Sequence, residues 1–261
     1  YPSVTRTCSR EMVNDCAVVY CWKGSDPSLK PLLVVSHIDV VPAPDASAWK
    51  HQPFSGAVAD GYVWGRGALD TKSSHLCALE AAEIMIVKGV KPKRTVYFSL
   101  GCDEELGGAK GAAFVSELMT KRKITFASVL DEGGFVASGA VPGVAKPVAV
   151  IGIAEKGYLS LELTAKGKEG HSSVPPSRTT VGMLCEAVLR LEKNPFPLAI
   201  DGATREFLEA IAPEMPFMKR VMLSNLWLTA PVVKRSLASS DSFAAMMRTT
   251  AAATMLEGSP R

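Results

Sequence analysis

Residues 94–108, RTVYFSLGCDEELGG, decide how this chain is read. Arg94–Leu100 is apolar, β-branched and aromatic, the composition of a strand in a buried sheet. Gly107 and Gly108 mark a turn into the next element. Between strand and turn stand Asp103, Glu104 and Glu105. Consecutive carboxylates at the end of a buried strand repel one another and resist burial. Either the turn is a solvated acidic loop, or a bound cation offsets the charge. The flanking sequence decides which.

On the N-terminal side, residues 31–36 (PLLVVS) form a continuous apolar run of the kind buried in a parallel sheet. That run ends in His37 and Asp39, which share a face because side chains alternate along a strand. Residues 17–22 (AVVYCW) form a shorter strand candidate. Residues 62–70 lead into a helix with Leu76, Leu79, Ala82 and Ile86 on one stripe, Glu80 and Glu83 opposite, and Gly89 at its end. Asp70, at the head of this helix, suits an N-cap as well as a ligand. Beyond the acidic turn a second helix turns Ala112, Val115 and Met119 inward, and residues 124–130 (ITFASVL) form a strand that runs into Asp131 and Glu132. Alternating strands and helices predict an α/β fold, a mostly parallel sheet with helices on both faces. Ligands of such sheets bind beyond the carboxyl ends of the strands. His37 with Asp39, Asp70, Glu104 with Glu105, and Asp131 all fall on that rim.

The pattern changes near residue 148. Residues 148–154 (VAVIGIA) form an apolar run, residues 158–165 alternate polar with apolar side chains as a half-exposed antiparallel strand does, and a helix carrying Leu184, Ala187, Val188 and Leu191 comes next. The expected division is a first domain over 1–155 and a second, α+β domain over 156–261.

With 261 residues, 47% of them hydrophobic, the chain can bury the core of one large domain or two ordinary ones. A net charge of +3 gives no electrostatic footprint for nucleic acid. No apolar run is long enough to span a membrane. The six cysteines, Cys8, Cys16, Cys21, Cys77, Cys102 and Cys185, show no C-x-x-C spacing. They are expected to be free, buried thiols, which leaves the redox compartment open.

Imidazole and carboxylates at strand ends suit a borderline divalent metal such as zinc. A two-metal hydrolytic site needs a bridging carboxylate and another that stays off the metals to handle the proton of the attacking water. Adjacent Glu104 and Glu105 point different ways and can divide those tasks. Asp39 can accept the second ring N–H of His37 and fix its orientation.

These motifs, in order, are SHIDVVP at 36–42, GRGALDTK at 65–72, DEE at 103–105, DEGG at 131–134 and GHSSVPP at 170–176. Together they resemble the M20 family of metallopeptidases and aminoacylases, most closely its branch of carboxypeptidase S and the N-fatty-acyl-amino-acid synthases/hydrolases. The resemblance runs through essentially the whole chain. It implies a zinc-peptidase-like catalytic domain and a lid domain that carries a homodimer contact. It also implies two Zn2+ ions per site, with His37, Asp70 and Asp131 holding one, Asp70 bridging, and Glu105 on the other. Glu104 is then the general base, Asp39 orients His37, and His171 comes from the lid to stabilise the tetrahedral oxyanion. The substrate class is a small peptide or N-acyl amino acid, and the compartment is secreted or vacuolar/lysosomal.

One departure stands out. The family's second zinc takes a histidine from far along a longer chain, and the histidines here are His37, His51, His75 and His171, none at that position. The sequence therefore reads as a fragment. A chain that serves only as a dimerisation or binding module is the rival of another class. A metal-free paired-carboxylate glycosidase is a weaker one.

Overall fold

The computed structural model describes residues 1–139 and 141–258. They form two compact units, Tyr1–Gly133 and Gly134–Arg261.

The first unit is built on a sheet of five strands: β1 (Ser9–Val13), β2 (Ala17–Trp22), β3 (Leu32–His37), β6 (Val96–Gly101) and β7 (Ser128–Leu130). Their order across the sheet is β1-β2-β6-β3-β7. A small separate hairpin, β4 (Ala57–Ala59) with β5 (Tyr62–Trp64), falls between β3 and β6 in the sequence. β3 runs parallel to both β6 and β7, while β2 pairs antiparallel with β1 and β6. The parallel centre is the predicted α/β sheet, and an antiparallel hairpin closes one edge.

Helices cover both faces. On one side α1 (Pro2–Thr7) and α2 (Ser73–Val87) bury Val4, Cys8, Leu79 and Ala82 against Trp22 and Phe98. On the other, α3 (Ala112–Lys121) buries Val115 and Met119 against Val13, Ala17 and Val19. Adjacent Tyr97 and Phe98 thus serve opposite cores, as the strand pleat requires. Each large side chain fully buried this way contributes about 1.5–3 kcal/mol. Gly89 takes a left-handed conformation (φ 73°) just beyond α2, where only glycine is free of strain.

Three expectations need correction. Cys16 and Cys102 form a disulfide, and Cys77 and Cys185 are exposed rather than buried. The β2–β6 register explains the bond. Val18 faces Leu100, so extending the ladder two places brings Cys16 opposite Cys102, with the Cα atoms 5.4 Å apart. Asp70 does not cap α2. Lys72 holds that position, and Asp70 lies in a tight non-helical turn ending in a cis peptide to Thr71. Finally, residues 158–165 form no strand. Tyr158, Leu159 and Leu161 are 91%, 76% and 77% exposed, so neither alternating set is covered.

In the second unit β8 (Phe135–Ala137) pairs with β9 (Val148–Val150). A core of Val141, Val144, Leu208, Ile211, Met215, Leu223, Leu226 and Val233 joins this region to α5 (Gly202–Ile211), α6 (Phe217–Ser224) and α7 (Leu226–Leu237). Val141 and Val144 therefore pack with helices C-terminal to them, within the second unit. The remaining helices are α4 (Thr180–Lys193) and α8 (Asp241–Met246). Thr179 caps α4 through the amide of Gly182. No helix among the described residues is long and apolar enough to cross a membrane.

Candidate metal centre

The site begins where β3 ends. Pairing of β3 with β6 places His37 beside Gly101, and the Ile38 amide continues the ladder by donating to the Gly101 carbonyl. His37 is almost fully buried, at 2% exposure. Its Nδ1 lies 3.0 Å from the Asp39 carbonyl oxygen and 3.3 Å from Asp39 Oδ1. The tautomer protonated at Nδ1 satisfies that contact and leaves Nε2 free to ligate.

Among the described residues, Nε2 faces acids. Asp70 Oδ1 is 3.2 Å away, Glu132 Oε2 3.3 Å and Glu104 Oε2 3.7 Å. Burial alone would depress the His37 pKa, but Glu132, the Asp39 carbonyl, Glu104 and the Asp39 carboxylate outweigh it and raise it above 6.5. Glu104 is also raised, first by burial and then by repulsion from Glu132, Glu105 and Asp39, with His37 partly offsetting them. A carboxyl shifted upward in this way is nearer the working range of a general base.

Two groups of side chains bring ligand atoms within 4.8 Å of one another: His37 with Asp70 and Glu132, and His37 with Glu104 and Glu105. The donors are one imidazole and four carboxylates, with no thiolate. Among the described residues Glu132 Oε2 is buried with no hydrogen-bond partner, the orphaned acceptor that a cation would satisfy. The residues present fit a divalent metal.

Asp70 reaches the site through the glycine-flanked turn before α2. Gly67 has φ 83°, and a Cβ there would lie 2.4 Å from Val40 Cγ1, so the turn admits no side chain at this place. Thr71 is buried, and its Oγ1 donates to Ser74 Oγ at 3.0 Å, fixing the segment after Asp70.

Of the residues expected from sequence, His37, Asp39, Asp70, Glu104 and Glu105 come together. At the end of β7 the structure brings in Glu132, while Asp131 is exposed and accepts from the Glu132 amide at 2.9 Å. His171 lies in the second unit, exposed, with Nδ1 2.7 Å from Ser173 Oγ. Among the described residues neither metal-capable group holds an imidazole besides His37. His51 packs against Trp64 with the rings tilted 54° to each other, and His75 approaches Ser36 Oγ at 3.5 Å.

Sequence reasoning missed one contact. Asp39 accepts from the Glu104 amide through Oδ1 at 3.2 Å and from the Glu105 amide through Oδ2 at 3.0 Å. It therefore grips the acidic turn and the imidazole together. The period of a strand shows that Asp39 shares a face with His37, but not that a loop 65 residues on would return to it.

The family described as Peptidase family M20/M25/M40 matches residues 33–255. This chain belongs to the M20 family. It is 42% identical over 246 residues to the N-fatty-acyl-amino acid synthase/hydrolase PM20D1 of Mus musculus, covering 94% of this chain and 49% of that protein. It is 41% identical over 203 residues to carboxypeptidase S of Saccharomyces cerevisiae, covering 75% of this chain and 34% of that one. The chain thus spans about half the length, or less, of these M20 relatives. A solved M20 family metallo-carboxypeptidase from Sulfolobus solfataricus aligns with a TM-score of 0.41 at 26% identity, over 48% of this chain and 28% of the other.

Proposed function

We propose that this M20 chain carries the metal-binding half of an amidohydrolase that cleaves an amide bond next to a free carboxylate, in a peptide C-terminus or an N-acyl amino acid. The observation that carries the reading is the buried His37 Nε2 surrounded by Asp70, Glu132 and Glu104, with an orphaned carboxylate oxygen among them. The named relatives supply the substrate class.

In this reading His37, Asp70 and Glu132 would hold one zinc ion, Glu132 taking the place expected of Asp131. Glu105, with Asp70 shared, would serve a second. Zinc so held supplies Lewis acidity toward a carbonyl oxygen and lowers the pKa of a water. Glu104 takes the proton of the attacking water and returns it to the leaving amine, a task matched to its raised pKa. Asp39 keeps the His37 ring and the two glutamates in register. His171, on a lid that begins near residue 155, would stabilise the oxyanion, and that lid would carry a homodimer contact. The Cys16–Cys102 bond supports an oxidising compartment, secreted or vacuolar.

The test is hydrolysis of N-acyl amino acids and of C-terminal peptide bonds, abolished by a chelator and restored by Zn2+. Activity that survives complete metal removal would sink the proposal and favour metal-free carboxylate chemistry. One observation favours a second reading, metal binding without turnover: the two candidate groups share a single imidazole. Stoichiometric zinc with no hydrolysis of either substrate class would select it.

A further inference from the structure

Asp103, the first acid of the turn, has no part in the metal chemistry described above, yet it is the buried one, at 6% exposure. Its carboxylate is turned to the backbone at the start of α3. Oδ2 accepts from the Lys110 amide at 2.6 Å, and Oδ1 from the Gly111 amide at 2.9 Å. Gly111 is the residue that opens α3. The Asp103 carbonyl closes the intervening loop, accepting from the amides of Leu106 at 3.1 Å and Gly108 at 2.8 Å. Immediately before it, Cys102 is tied covalently to Cys16. Asp103 is therefore a fixed post on which the next two residues are hung, and Asp39 holds their amides.

We infer that Asp103 is a positioning residue: by anchoring the loop to the start of α3 it sets where the Glu104 and Glu105 carboxylates stand relative to His37. The inference rests on the metal-site reading above. The physical reason is geometric. The two glutamates come directly after Asp103, so a backbone shift at Asp103 is carried into their side chains. Supporting contacts of this kind tune metal affinity although they touch no metal. The site has no slack for an altered anchor, because a Cβ on Gly111 would lie 2.7 Å from Asp103 Oδ1.

Glu83 provides the internal control. Its carboxylate makes the same type of contact, accepting from the Ser3 amide at 2.9 Å and the Val4 amide at 2.8 Å at the start of α1, and it takes no part in the metal-capable groups. A purely structural role for Asp103 should behave as Glu83 does.

The experiment titrates the whole chain with Co2+ alone, followed by the visible absorption of the bound ion and by calorimetry. Asp103→Asn, which turns one acceptor into a donor, should weaken Co2+ binding roughly tenfold or more and alter the Co2+ spectrum. Gly111→Ala keeps the Asp103 charge and disturbs only the contact, so it should do the same. It also carries the test if Asp103→Asn does not unfold cooperatively. The double variant should be no worse than the more affected single, since both act through one contact. Glu83→Gln should lower the unfolding temperature and leave Co2+ affinity unchanged. Wild-type affinity and spectrum in both Asp103→Asn and Gly111→Ala would overturn the inference alone. A wild-type chain that binds no Co2+ would overturn the metal-site reading and the inference with it.

Discussion

The rim of the first unit and residues 158–173 of the second carry equally clear sequence patterns, yet they fold differently. On the rim, β3 is hydrogen-bonded on both sides, to β6 and to β7, and cores on both sheet faces are filled. His37 consequently has defined neighbours at 3.0–3.7 Å. Residues 158–165 alternate just as regularly but have no strand beside them among the described residues, and both faces are exposed. Alternation specifies which side chains share a face. It does not supply the neighbouring edge that makes a strand stable. A functional side chain is placed by its sequence only where the strand that carries it is paired.

The largest expected effect tests whether chemistry resides on the paired rim. Glu104→Gln should lower amide hydrolysis by roughly 10²–10⁴-fold while zinc content, measured by elemental analysis, stays at the wild-type value. His171→Ala should also lower turnover, by about 10²–10³-fold if it supplies an oxyanion contact, again without loss of zinc. Full activity in Glu104→Gln would break the contrast outright.

Next in size is the choice between the neighbours at the end of β7. Glu132→Gln removes the buried orphaned oxygen and should cost more than the roughly 10–100-fold in affinity that losing an outer partner costs. Asp131→Asn should bind Zn2+ as the wild type does. Equal losses in the two variants would mean that the end of β7 is less fixed than the end of β3.

Replacing both Cys16 and Cys102 by serine opens a link between residues 86 apart and should lower stability by about 2–4 kcal/mol, read from thermal or denaturant unfolding. Reductant added to the wild type should reproduce the loss, and the serine variant should not respond to it.

These residues also show where sequence reasoning succeeds and where it stops. The sheet and its rim were legible because the runs ending at Ser36 and Leu100 are apolar throughout, and the acids stand directly after them. His37 with Asp39, and Glu104 with Glu105, could be placed on that ground, whereas Asp70 was placed at the head of the helix that follows residues 62–69. The disulfide was not legible, since pairing Cys16 with Cys102 requires the β2–β6 register, which no local pattern contains. Asp131 and Glu132 could not be separated, because one step along a strand end reverses the direction of a side chain. Asp70 looked like a helix cap because composition shows that a turn is present but not its dihedral angles. Asp103 was passed over because an acid beside two others reads as more of the same charge, and only burial sets it apart.

The smallest effect is the pH dependence of stability, and its sign separates the metal-free from the metal-bound rim. In the metal-free chain the His37 pKa is raised above its ordinary 6.5, because the surrounding acids outweigh the cost of burial. Protonated His37 therefore favours the folded state. Its contribution is fully present below about 6.5 and is lost as pH rises through the higher folded value. Glu104 acts in the same direction. Its raised pKa means that ionisation is penalised in the folded state from about 4.5 upward. Unfolding in the presence of a chelator should thus show stability falling with rising pH, with a slope of at most about 1.4 kcal/mol per pH unit for each proton. His37→Gln should remove the part of the slope near and above neutrality. Zinc should reverse the trend, because ligation requires neutral imidazole and ionised carboxylates, so the stabilisation gained from a fixed Zn2+ concentration should grow with pH. A zinc-induced shift in unfolding temperature that is flat from pH 6 to 8 would mean that His37 does not exchange its proton for the metal.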